Sequence, residues 1–166
     1  SLAGAVARQD DRVAVKDEKK LPALMDALVR EAVFGDPAAK AAARWLIWET
    51  AQTLGIRPAS IHELYAARGR GEIAKPFTVP AMNLRMMAYD SARAVFRAAK
   101  KAEAGAFIFE IARSEIGYTD QRPAEYATSI LAAAIKEGVR GPVVIQGDHF
   151  QAAAKKYAAA PEVELH

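Results

Sequence analysis

The chain contains no cysteine. Disulfides and thiolate zinc sites are thereby excluded, and any metal must be held by His, Asp or Glu. Histidine is itself scarce: the three are His62, His149 and His166. No apolar run approaches the ~20 residues that a membrane span needs, and Ser1 to Arg12 holds no hydrophobic signal core. A cytoplasmic protein without membrane contact is the default expectation. Charge of one sign is lacking too. Lys and Arg number 23 against 20 Asp and Glu, a formal charge of +3. That balance is too even to argue for nucleic acid, and Arg68-Gly69-Arg70 reads as a solvated helix end.

What is present suits one ordinary domain with a real core: 166 residues, 52% of them hydrophobic and 26% charged. The pattern has two parts. From Lys19 to about Gly71 the spacing predicts helices only. Leu21, Leu24, Met25, Leu28, Val29 and Ala32 recur at helical spacing. Gly35 ends that helix, and Asp36-Pro37 offers an N-cap followed by proline at the first helical position. The next helix carries Trp45, Leu46, Trp48 and Leu54, the tryptophans as packing residues. Ser60 and Glu63 make a capping-box pattern for a third helix, on whose charged surface His62 lies.

From Lys75 the period changes. Phe77 to Leu84 reads as a strand, with Pro80 arguing against a central position. A helix follows over about Ala88 to Ala102. Ala106 to Ala112 reads as a buried strand, Arg113 to Arg122 as a polar loop, and Pro123 opens a helix that ends at Gly138. Val143 to Gly147 is a third strand, and Gln151 to Tyr157 begins another helix. This βαβαβα order predicts an α/β fold with parallel strands and right-handed crossovers. The expected division is a helical extension over 1–59 and the α/β part over 60–166. Pro161 to His166 reads as the middle of an element. Either a fragment or a small open sheet with a helical arm would suit.

The richest stretch is Gly141-Pro142-Val143-Val144-Ile145-Gln146-Gly147-Asp148-His149-Phe150. An apolar strand delivers an acid and an imidazole at its carboxyl end, where parallel α/β proteins place their chemistry. One reading has the imidazole bind a divalent metal while the carboxylate moves a proton. The other has the pair cap the next helix. Asn83 ends the first strand, and Glu110 and Ser114 lie at or just beyond the end of the second, so all three would share that edge. Asn83 could instead be a turn residue, and Glu110 a buried acid paired with Arg85 or Arg113. The loop Gly117 to Arg122 either faces a substrate, with Arg113 or Arg122 taking a phosphate, or is plain surface. His166, as a lone histidine, is not expected to be a ligand.

Two of these segments together resemble the class II, metal-dependent fructose-bisphosphate aldolases. Phe77 to Asn83 resembles that family's first barrel strand, roughly F-x-V-P-A-x-N, and Val143 to His149 resembles its third, which ends in Asp-His. The resemblance covers roughly Ser60 to Tyr157. It implies the first three units of a (β/α)8 barrel, and reversible aldol cleavage of a phosphorylated ketose. It implies His149 as a zinc ligand, Asp148 as the catalytic proton carrier, and Asn83 near the substrate. Zinc would polarise the carbonyl of the substrate and stabilise the enediolate.

Three departures stand out. The family's second strand usually ends Gln-x-Ser; here it ends Glu110-Ile111-Ala112, with Ser114 two residues late. The family's other zinc ligands come from strands beyond His166. The helices before Ser60 are not part of the family's core. Glu110 through Tyr118-Thr119, Pro123 and Gly147-Asp148-His149 also resemble the non-catalytic barrel subunit that accompanies tagatose-bisphosphate aldolase. The resemblance therefore implies a sugar phosphate as substrate, and either the remainder of the barrel or a second copy as partner. A helical interaction module without metal, resting on the arm and its tryptophans, is a third reading.

Overall fold

A computed structural model describes residues 4–165. His166 lies outside the described residues, as does the start of the Ser1–Arg12 segment. The chain opens with an antiparallel hairpin, β1 (Val6–Gln9) and β2 (Arg12–Val15), where helices were the earliest elements expected. Then come α1 (Leu21–Phe34), α2 (Pro37–Thr53), β3 (Arg57–Ala59), α3 (His62–Gly69), β4 (Ala81–Asn83) and α4 (Ala88–Lys101). The remainder is β5 (Ile108–Ala112), α5 (Arg113–Thr119), α6 (Pro123–Lys136), β6 (Pro142–Asp148), α7 (Ala154–Ala159) and α8 (Pro161–Glu164).

Four strands form one sheet in the order β3-β6-β5-β4, every neighbouring pair parallel. The α/β fold and the parallel run β4, β5, β6 follow the sequence pattern. Two expectations need correction. β3 lies within a stretch that reads as helical. The strand expected over Phe77 to Leu84 shrinks to Ala81–Asn83. Pro80 sets that limit, because its carbonyl accepts from the Ile108 N–H at 2.8 Å. The proline itself has no N–H to return on the side facing β5.

α6 is the centre of the molecule. Tyr126, Ile130, Leu131, Ala132, Ala133 and Ala134 are all fully buried, and a helix apolar all round belongs inside a core. It packs against α4, α1 and α2. Met25, Ile47 and Ala51 from before residue 60 therefore share one core with Phe96, Phe109, Ile111 and Ile130 from after it. Phe96, Phe107 and Phe109 meet edge to face, with ring centroids 5.1–5.8 Å apart, the arrangement that aromatic quadrupoles favour. The start of α2 is as the sequence predicts: Asp36 Oδ1 accepts from the N–H groups of Ala38 and Ala39, both at 2.9 Å. At α3 the capping box does not form, since Ser60 Oγ accepts from the His62 N–H instead. The tryptophans are not packed inside. The buried stripe of α2 is Ala43, Ile47, Thr50 and Ala51, which leaves Trp45 38% and Trp48 42% exposed.

Side chains alternate across a strand, and the register assigns the two faces of the sheet. Phe109, Ile111 and Val143 enter the helical core. Ile108, Glu110, Ala112, Val144, Gln146 and Asp148 belong to the opposite face, together with Ala81 and Asn83.

Candidate functional site at the carboxyl edge of the sheet

On that opposite face the register lays three polar residues in one row: Asn83 of β4 beside Glu110 of β5, and Glu110 beside Gln146 of β6. Asp148 stands two residues further along β6, next to Ala112. The row falls at the carboxyl end of β4 and two residues short of the carboxyl ends of β5 and β6, where Ala112 and Asp148 stand. The contacts follow the register. Gln146 Nε2 donates to Glu110 Oε1. Asn83 Nδ2 donates to Asp148 Oδ2 at 3.0 Å and to Glu115 Oε2 at 3.2 Å.

Glu115 is the anchor of this cluster. It comes from α5, a helix where the sequence suggests only a polar loop. The helix exists because Glu115 folds back over its first turn and accepts from the Ala112 N–H at 3.0 Å, half of a capping box. Its other oxygen pairs with Arg85 Nε at 2.6 Å. The Glu115 side chain is 5% exposed. Burial pushes its carboxyl up, but the Ala112 N–H, the Asn83 amide and the Arg85 charge outweigh that and leave it below the usual glutamate range.

Asp148 is partly buried and His149 is not: 29% of the Asp148 side chain is exposed against 76% of the imidazole. The strand ends at Asp148, and His149 takes a left-handed backbone at φ 52. The ring lies 3.4 Å from Asp148, Nε2 to Oδ1. Neither residue caps the following helix, whose N-cap is Ala153. Glu110 pairs with neither arginine considered for it: Arg85 goes to Glu115, and Arg113 to Glu164 at 2.6 Å. Ser114 sits exposed in the first turn of α5, with no hydrogen bond to the cluster among the described residues. The structure thus brings Asn83, Glu110 and Asp148 together, keeps His149 at the rim, and leaves Ser114 outside.

No known protein family, curated protein or solved structure matches this chain.

Sequence reasoning passed over Glu115 and gave Gln146 no role. Gln146 had a signal, since two residues before Asp148 on a strand means the same face. For Glu115 the signal was its place three residues after the strand end, where an acid can turn back onto a free N–H. As a metal centre the cluster is poor. No group of three or more His, Asp or Glu side chains converges among the described residues, and the one nearby imidazole faces solvent. As a site for a hydroxylated ligand it is well furnished. Carboxylates accept from hydroxyls, and the amides of Asn83 and Gln146 both donate and accept.

Proposed function

We propose that the chain carries the substrate face of a class II aldolase-like (β/α) barrel, with β4, β5 and β6 as its first three strands. The ligand is a phosphorylated ketose. The observation that carries this reading is the row Asn83, Glu110 and Gln146, with Asp148 beyond it. All four side chains share one face of three neighbouring parallel strands, with Asn83 and Asp148 at their carboxyl ends, the position of reacting groups in barrels of this kind. β3, beside β6, stands outside that strand order.

Asp148 is the proton carrier. One of its oxygens is held by the Asn83 amide, and the other, Oδ1, has the exposed His149 imidazole 3.4 Å away. In the cleavage direction that oxygen takes the proton of the hydroxyl on the carbon being released. The hydroxyl becomes a carbonyl, the carbon–carbon bond breaks, and its electron pair passes to the ketone half. The reverse step returns the same proton. Glu110 and Gln146, already joined, orient the remaining hydroxyls. The described residues do not fit a zinc ion, since His149 brings no second and third ligand with it, so no step here runs through a metal.

That misfit favours a second reading, a supporting barrel subunit that binds the sugar ester without cleaving it. Calorimetric titration with fructose 1,6-bisphosphate, zinc analysis and a coupled cleavage assay separate the two. Cleavage that falls at least a hundredfold in Asp148→Asn supports the catalytic reading. Binding that weakens in Asn83→Ala, without retained zinc or cleavage, supports the supporting subunit. Failure to bind any ketose phosphate overturns both.

A further inference from the structure

Beside the carboxyl-edge cluster lies an open cavity of about 920 Å³. Its walls come from four separated stretches: the end of α1, the first half of α2, the β4–α4 connection, and the residues joining α5 to α6. Four cations line it, Lys40, Arg44, Arg85 and Arg122, against two carboxylates, Asp120 and Glu125. Two of the cations are engaged. Arg44 Nη2 meets Glu125 Oε2 at 2.7 Å, and Arg85 turns its Nε to Glu115. Lys40 and Arg122 form no ion pair among the described residues. Burial pushes the Glu125 carboxyl up while the Arg44 and Lys40 charges act against it.

Cations along one helix are an ordinary solvated face. Cations converging from α2, from the β4–α4 connection and from the approach to α6 repel one another across a shared space. With Arg44 held by Glu125 and Arg85 by Glu115, Lys40 and Arg122 remain against Asp120, and an oxyanion would offset the positive charge left over. Phe34 and Met86, 82% and 75% exposed, line it as well.

We propose that this cavity is a pocket for a phosphate monoester, with Lys40 and Arg122 as its free cations. Arg85 ties it to the carboxyl edge through Glu115, Asn83 and Asp148 in succession. The pocket rests on the reading of the site above in one respect. A phosphorylated ketose bound with its reacting carbons at Asn83 and Asp148 would place its phosphate here.

The test is calorimetric titration of the whole chain at fixed ionic strength, with inorganic phosphate and with fructose 1,6-bisphosphate. The charge-removing pair Lys40→Gln with Arg122→Gln should weaken both ligands about tenfold or more, the scale of losing charge-assisted bonds. The charge-keeping pair Lys40→Arg with Arg122→Lys should retain binding within about threefold, which separates lost charge from lost fold. Asp148→Asn should weaken the ketose ester alone. Phosphate that does not bind, or that binds the charge-removing pair as tightly as the parent, overturns the pocket. Phosphate binding lost with the cations, but ketose binding untouched by Asp148→Asn, upholds the pocket and overturns the reading of the site.

Discussion

Replacing Glu115 by glutamine tests whether one buried carboxylate organises the whole carboxyl edge. The substitution keeps shape and removes charge. Glu115 accepts from the Ala112 N–H at 3.0 Å, from Asn83 at 3.2 Å and from Arg85 at 2.6 Å. A hydrogen bond to a charged group is worth about 1.5–3 kcal/mol. Glutamine can still accept with one oxygen, and Arg85, whose side chain is 60% exposed, can turn to water. The net loss should therefore be about 2 kcal/mol, well short of three charged bonds. Urea unfolding at pH 7 should show a lower midpoint with an unchanged slope. The pH dependence carries the sharper signature. The folded-state pKa of Glu115 is lowered, so its stabilisation is complete above the ordinary glutamate range and fades as pH falls through the folded value. The gap between parent and Glu115→Gln should close on acidification. A gap that persists unchanged down to pH 3, or a variant as stable as the parent at pH 7, would refute the reasoning.

Phe109→Ala should cost about 3–5 kcal/mol, because the ring is fully buried between Phe96 and Phe107; thermal or urea unfolding reads this directly. Asp36→Ala removes the acceptor for two N–H groups of α2 and should lower stability by about 1 kcal/mol, measured the same way. Trp45 and Trp48 should both be quenched by acrylamide in the folded protein, given their exposure. Blue-shifted, protected emission would contradict the placement of α2.

The fold was legible where one force acted alone. Apolar spacing predicted α1, Pro123 and Gly138 bracketed α6, and aromatic content predicted β5. The Asp36-Pro37 signal predicted the start of α2 to the residue. It failed where two forces competed. Over Phe77 to Leu84 the apolar pattern says strand, but the missing N–H of Pro80 confines pairing to Ala81–Asn83. Arg113 to Arg122 looks like a loop because it is polar, yet the return contact from Glu115 makes its first part helical. β3 is three residues long and is stabilised by pairing with β6, a partner some 85 positions away, which no local window contains. At the site, Asn83, Glu110 and Asp148 were readable from strand ends. Glu115 was not, since its role depends on the backbone of Ala112 and on Asn83, brought beside it only by the sheet.

The two rims of the sheet bear on how this molecule meets its neighbours. An open parallel sheet offers a row of free donors and acceptors on each outer strand, a template for stacking chain upon chain. Here both rims are blunt. The N–H of Arg57 points inward, donating to the Gly141 carbonyl of the adjoining segment at 3.3 Å. By alternation, position 58 is the one that would turn an N–H outward, and it is a proline. The opposite rim, β4, offers only three residues behind Pro80. Strand-upon-strand growth is therefore disfavoured at both ends. The seven-residue β6, which would make the better template, is flanked on both sides within the sheet. Association between copies is left to side-chain surfaces rather than to backbone ladders.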